Sequence, residues 1–120
     1  MPKIVDETFR VCQCDSLQHL YGSPEKAERY CIDSCDALVD FDGMTQDLNT
    51  INIETSGFTS TKGIPKHLEE FRIIRCQEIE NLEITGVKRT QIHGCKKLKT
   101  ITFNSDQEVS SISVRECPRL

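Results

Sequence analysis

Residues 68–98, LEEFRIIRCQEIENLEITGVKRTQIHGCKKL, contain the same phrase twice. In both copies an alternating pair of residues precedes a cysteine, and an apolar residue follows it: Phe71-x-Ile73-x-x-Cys76-x-x-Ile79 and Thr90-x-Ile92-x-x-Cys95-x-x-Leu98. Further copies centre on Cys14, Cys35 and Cys117, and a degenerate copy carries Ser56. These six positions are separated by 21, 21, 20, 19 and 22 residues. The chain is therefore predicted to be an internal repeat from residue 9 to 120.

A repeat of about 20 residues is typical of one coil of a solenoid, a unit too small to bury its own apolar residues and stable only when stacked. The alternation before each cysteine is strand periodicity, because side chains two apart point to the same face. Successive coils are expected to pair these strands in a parallel sheet. Its central inward column would be Val11, Ile32, Ile53, Ile73, Ile92 and Val114.

The cysteine three residues after this column is a small, weakly polar side chain, and its thiol can donate to a backbone carbonyl where the chain turns inward. The phrase Leu68-x-x-Phe71-x-Ile73-x-x-Cys76-x-x-Ile79 resembles the leucine-rich repeat family, in the variant with cysteine and one extra residue. The resemblance covers roughly residues 9 to 120. It implies protein–protein recognition by the sheet face, without catalysis.

The predicted architecture is one leucine-rich-repeat-like solenoid domain over residues 1–120, with 1–8 as an N-terminal cap or tail and about six coils from 9 to 120. The side opposite the sheet is expected to hold short helices, turns or strands. Ser23 and Pro24 predict a short helix within 21–29, and a second helical turn is expected within 64–70. Later arms predict strand pairs at 82–84 and 101–103. The degenerate coil around Ser56 is expected to bulge or to rearrange its loop.

The register also predicts which side chains point outward from the sheet. These form a ladder of polar residues of both charges, the natural binding surface of a solenoid. The alternative is that they are ordinary solvated strand positions. The partner-binding candidates in this ladder are Asp33, Asn52, Glu54, Arg72, Gln91, His93 and Arg115.

Charge is unevenly distributed along the chain. Residues 1–60 contain 4 Lys and Arg against 11 Asp and Glu, whereas residues 61–120 contain 11 against 8. Nucleic acid is disfavoured as a partner, because the balance is acidic and no aromatic side chains are interleaved for base stacking. No apolar run of about 18 residues and no signal-peptide core is found, so we expect no membrane partner and a cytoplasmic location.

Other functions stay open with less support. Cys12, Cys14, Cys31 and Cys35 could form a zinc module, although their spacing is not a standard one. His19, His67 and His93 occupy three different repeat positions, so no catalytic residue, resident metal or cofactor is predicted. A structural or self-assembling solenoid is a further alternative.

The repeat stops at Leu120 without a polar cap. Three explanations carry equal weight: a symmetric second copy covers the last coil to give a homodimer, the short edge is tolerated, or the array is longer.

Overall fold

The computed structural model describes residues 8–65, 68–84, 87–103 and 111–120. The described chain is a parallel β-solenoid, and its main sheet has six strands in the order β1-β2-β3-β4-β6-β8. Their bounds are β1 Thr8–Cys12, β2 Arg29–Asp33, β3 Thr50–Glu54, β4 Leu68–Ile74, β6 Val87–His93 and β8 Ser111–Arg115. A second sheet pairs β5, Asn81–Ile84, with β7, Thr100–Phe103. Because a coil runs from one main-sheet strand to the next, the chain makes about five stacked coils of about 21 residues.

The strand register is the one that the repeat predicts. Val11 pairs with Ile32, Ile32 with Ile53, and the column continues through Ile73 and Ile92 to Val114. Four of its members are almost completely buried: Ile32, Ile53, Ile73 and Ile92. A second inward column lies two residues earlier on each strand. It includes Tyr30, Ile51 and Phe71, which are each at most 1% exposed. Burial of these two columns is the main driving force for stacking, at roughly 25 cal/mol per Å² of apolar surface.

Each main-sheet strand ends in the same one-residue turn. The residue after the strand has a positive φ at the end of all six main-sheet strands: Gln13, Ser34, Thr55, Arg75, Gly94 and Glu116. Five of these are not glycine, although the left-handed conformation is uncommon for such residues and costs about 1–2 kcal/mol each. In the first five turns the backbone N–H of this residue donates to the next strand, as in Arg75 to His93 at 2.8 Å. The turn therefore extends the hydrogen-bond ladder by one rung.

The cysteine that follows the turn donates its thiol to the carbonyl two residues earlier, as predicted. Cys76 donates to Ile74 at 3.6 Å, and Cys95 donates to His93 at 3.9 Å. In the degenerate coil, Ser56 is buried and its hydroxyl donates to the Glu54 carbonyl at 3.2 Å. Serine thus replaces cysteine at this position without loss of the contact.

The degenerate coil does not bulge in its strand, since β3 pairs in register with both neighbours. Its loop does rearrange. Phe58 fills the core one residue earlier than the leucine of the other coils and packs edge-on against Phe41, with ring centroids 4.9 Å apart. Gly57 allows this path, because a Cβ there would lie 2.1 Å from the Asp36 carbonyl oxygen.

The two predicted helical segments are wrong, since the described residues contain no helix. Ser23 does not cap a helix; its hydroxyl donates to the Leu20 carbonyl at 2.6 Å and contacts the Tyr30 hydroxyl at 2.7 Å. The arm stays extended because its backbone bonds to the next coil, from Ala27 N–H to the Asp47 carbonyl at 3.0 Å. In the second segment, Leu68–Glu70 belongs to β4, and 66–67 lie outside the described residues.

The later arms follow the prediction of paired strands. Leu82 pairs with Ile101 in the second sheet, and Leu82 and Ile84 are buried. The Thr100 hydroxyl donates to Asn81 Oδ1 at 2.6 Å. The C-terminal half is thus more sheet-like than the N-terminal half. The predicted N-terminal cap or tail lies outside the described residues except for Thr8, the first residue of β1.

We expect Ile73→Asp to unfold the protein, because it places an unpaired charge at a fully buried position and costs several kcal/mol of a total stability of about 5–15 kcal/mol. Arg72→Asp is the matched control, because the Arg72 side chain points outward. We expect this variant to lose only about 1 kcal/mol of unfolding free energy, through the low β propensity of aspartate. Urea unfolding followed by circular dichroism measures both. Equal loss of stability in the two variants would contradict the register.

Two glycines with positive φ allow the cost of backbone strain to be measured separately from the cost of a steric collision. Gly22, at φ +86°, has open space where a Cβ would stand, whereas a Cβ on Gly63, at φ +95°, would lie 2.3 Å from the Phe41 carbonyl oxygen. We expect Gly22→Ala to lose about 1–2 kcal/mol of unfolding free energy and Gly63→Ala to lose clearly more. Thermal unfolding of the two variants side by side measures the difference. A larger loss for Gly22→Ala would contradict the tight packing between these coils.

Candidate partner-binding face

The outward face of the main sheet carries three rows of side chains that run across the strands. The first row is Thr8, Arg29, Thr50, Glu70, Arg89 and Ser111, and the two later rows, named central and distal here, line the grooves. The register aligns the central row in the order Arg10, Cys31, Asn52, Arg72, Gln91, Ser113. The distal row, two residues later on each strand, runs Cys12, Asp33, Glu54, Ile74, His93, Arg115. Alternation along each strand leaves these side chains on the side away from the core.

Two grooves lie on this face. The N-terminal groove, of about 270 Å³, crosses β1 to β4 and includes Asp33, Asn52 and Glu54 in its lining. The C-terminal groove, of about 240 Å³, crosses β4, β6 and β8 and includes Gln91, His93 and Arg115. Both are lined by Arg72 and Ile74. All seven residues predicted from the sequence therefore line one or both of these adjoining grooves.

Ile74 is the large apolar residue among the outward groove-lining residues that the sequence prediction leaves out, the others being Arg10, Cys12, Cys31 and Ser113. It stands at the boundary between the two grooves and is partly exposed. The selection favoured polar outward residues, so an isoleucine in the same register was passed over. Its outward position between charged neighbours on adjacent strands was the signal that could have identified it.

Two polar atoms at the junction of the grooves are buried and have no hydrogen-bond partner, namely Asn52 Oδ1 and Arg72 Nε. Their residues are register partners on β3 and β4. One atom is an acceptor and the other is a donor. Buried polar groups without partners destabilise a fold by about 1–3 kcal/mol each. The face therefore carries a local cost at this junction. Because both atoms are shielded from solvent, a bound group with one donor and one acceptor removes this cost only when the Asn52 and Arg72 side chains turn outward.

The charged groups on the face are mostly free of ion pairs with each other. Asp33 accepts a hydrogen bond from the Ser34 hydroxyl at 2.9 Å, and His93 Nε2 lies 3.1 Å from Glu116 Oε2. Glu116 is 77% exposed, so this contact contributes little in water. Among the described residues, no ion pair holds Glu54 or Arg115. These groups are available to a partner.

The other pairs of neighbouring cations and carboxylates lie off this face. Lys97 pairs with Glu78 at 3.2 Å, and Lys88 pairs with Glu69 at 3.3 Å. In the connecting arms, the His19 ring nitrogen lies 2.7 Å from Asp40. Although burial favours the neutral acid, the hydrogen bonds from His19 and from the Asp42 backbone outweigh it and lower the pKa of Asp40. This pair joins two coils at a distance from the grooves.

A larger concavity of about 860 Å³ lies beside the last coil. Gln77, Lys97, Cys117 and Arg119 are among its lining residues. The Gln77 amide already donates to the Gly94 carbonyl at 3.1 Å, and Lys97 is paired. Within the described part of the chain, none of its lining residues has a buried polar atom without a partner. The two grooves on the sheet face are therefore the better candidate site.

The four cysteines weighed as a zinc module are not brought together. Cys14 and Cys35 follow the turn toward the core, whereas Cys12 and Cys31 stand on different rows of the outward face. No group of three or more potential metal-ligating side chains is formed among residues 8–65, 68–84, 87–103 and 111–120. Cys31 is the register partner of Arg10 and not of Cys12. The register therefore does not place Cys12 opposite Cys31 for a disulfide bond.

Burial makes the later core thiols poor nucleophiles. It raises the pKa of Cys76 to about 12 and that of Cys95 to about 11. Burial also raises the pKa of the Cys35 thiol. Since the thiolate is the reactive form, these three side chains serve packing and not chemistry.

We expect a thiol reagent to distinguish two classes of cysteine in the folded protein. Cys12 is exposed and should react with iodoacetamide first, whereas the buried Cys35, Cys76 and Cys95 should react only after urea unfolding. Mass spectrometry of peptides after timed labelling at neutral pH measures each site. Labelling of Cys76 as fast as that of Cys12 would contradict the core assignment.

Comparison with known proteins adds no relative. No family model, no curated protein and no solved structure matches the chain. The described residues also contain no helix long and apolar enough to cross a membrane.

Proposed function

We propose that this protein is a non-catalytic interaction module that binds another protein through the outward face of its main sheet. The observation that carries the proposal is the pair of buried, unpartnered atoms at the junction of the two grooves, Asn52 Oδ1 and Arg72 Nε. A peptide group of a partner supplies both the donor and the acceptor that these atoms lack. Binding would thus remove an energetic cost that the free protein bears.

The resemblance to leucine-rich repeats supports the same proposal. The supporting features are the parallel strands in register and the thiol, or the Ser56 hydroxyl, that donates to the turn, as Cys76 does to Ile74. We propose that the chain is a short, irregular array of this type, with cysteine at the position where the pattern allows asparagine or cysteine. Such arrays present their sheet face to protein partners.

A capture experiment tests the proposal. We expect wild-type protein immobilised on resin to capture a partner from a lysate of the source organism, and Arg72→Glu/Arg115→Glu to lose that partner. Both substitutions reverse a charge in the C-terminal groove. Quantitative mass spectrometry of the captured proteins measures the loss, and circular dichroism checks that the variant folds.

The matched control is Lys97→Glu/Lys99→Glu, which changes the net charge equally in the connecting arms, where each lysine faces a glutamate of the preceding coil. The control should keep the partner. Arg115→Glu alone provides a second variant at an exposed position that cannot disturb the core. Equal retention of the partner by the face variants and the control would overturn the proposed function.

A self-assembling solenoid is the second candidate, and one observation favours it. Ile112 and Val114 of β8 continue the two inward columns but are 48% and 36% exposed. A coil stacked on β8 would cover them. Light scattering of the purified protein distinguishes this candidate: a mass that grows with concentration and falls back in Val114→Lys supports assembly through β8.

A further inference from the structure

The distal row carries its charges in two separate blocks. From β2 to β8 it places Asp33 and Glu54 first, then Ile74, and then His93 and Arg115. The two carboxylates occupy neighbouring rungs, where like charges repel each other and lower stability. No cation among the described residues pairs with either carboxylate. The row is therefore an acidic block and a basic block separated by one apolar side chain.

We infer that the face binds an extended protein segment of bipolar charge. Because alternate side chains of such a segment face the sheet, it places a basic side chain over Asp33 and Glu54, a small apolar side chain over Ile74, and an acidic side chain over His93 and Arg115. This inference rests on the proposed function and specifies the chemistry of the partner. The segment lies across the strands and not along them, because the row itself crosses the strands.

The length of the row sets the length of the segment. Asp33 and Arg115 are separated by four strand intervals of about 4.8 Å, or about 19 Å in total. An extended chain advances about 3.3 Å per residue, so about six residues span the row. The unpartnered Asn52 Oδ1 and Arg72 Nε lie in the central row beside the middle of this path. They would bond the backbone of the segment where its side chains are small.

The same pattern excludes partners of a single charge sign. A polyanion attracted by Arg115, and by Arg72 in the central row, would meet Asp33 and Glu54 at the other end of the face. A polycation would be repelled at the other end. The present contact of His93 with Glu116, at 3.1 Å, resembles the one expected with the acidic end of the segment, and the exposed Glu116 carboxylate can be displaced.

Short peptides test this charge pattern directly. The probe is a fluorescein-labelled six-residue peptide with two lysines at one end, one alanine and one valine in the middle, and two glutamates at the other end. The control peptide has the same composition, with lysine and glutamate alternating. We expect wild-type protein to bind the bipolar peptide about tenfold more tightly at low salt, because several exposed charge pairs contribute together. Fluorescence anisotropy measures both affinities.

Two protein variants make the test specific. Asp33→Lys/Glu54→Lys turns the row wholly basic, and it should lose the preference for the bipolar peptide. The full exchange, Asp33→Lys/Glu54→Lys/His93→Glu/Arg115→Glu with Glu116→Lys, restores two opposite blocks in reversed order. It should regain the preference, since a free peptide can lie in the opposite direction. Circular dichroism checks both variants, whose changed residues are all exposed or half-exposed.

The results separate this inference from the proposed function. Equal affinity for the two peptides, including no binding of either up to about 1 mM, overturns the bipolar segment. So does an undiminished preference in the wholly basic variant. If the captured partner is nevertheless lost in Arg72→Glu/Arg115→Glu, the proposed function stands and only the charge pattern falls. If the capture is unaffected by those changes, the proposed function fails independently of the peptides.

Discussion

The structure depends on one backbone constraint, the left-handed residue that ends every strand of the main sheet. It turns the chain toward the core in a single step, so that the next side chain is a buried or half-buried thiol or hydroxyl. Five of the six residues are not glycine, and in four of these five the strained residue donates an N–H bond to the next strand, at 2.8–3.0 Å. Stacking of coils and formation of the first five turns therefore stabilise each other, whereas the last described turn, at Glu116, forms without such a bond.

The same constraint produces the candidate site. Identical turns keep the strands in register, and the register converts residues about 20 apart in sequence into neighbours on one face. Asn52 and Arg72 meet in this way, although each belongs to a different coil. Both keep a buried polar atom without a partner, which is rare in folded proteins. Thr90, in the inward column, has the third such atom, and nothing in the grooves reaches it.

The sequence was sufficient for the features that repeat and insufficient for those that occur once. The alternation before Cys76 and Cys95 determines strand position, register and the outward rows, because these follow from a period of two within a period of about 20. Ser23-Pro24 satisfied the local rules for a helix start, but hydrogen bonds to the neighbouring coil outweigh local propensity. The replacement of Thr59 by Phe58 in the core depends on the space beside Phe41, which no pattern encodes. The free atoms of Asn52 and Arg72 depend on packing around them.

Coil length varies between 19 and 22 residues. In contrast, the strand, the left-handed residue and the small polar side chain follow each other in the same order and without a gap at every main-sheet strand. The difference is absorbed by the connecting arms, which are turns in early coils and the strands β5 and β7 in later ones. Length changes confined to an arm leave the rows of the face aligned, while one residue added inside a strand turns the side chains that follow it in that strand to the opposite face. A chain that gains or loses a whole coil, or that has a longer arm, can therefore still form one continuous sheet.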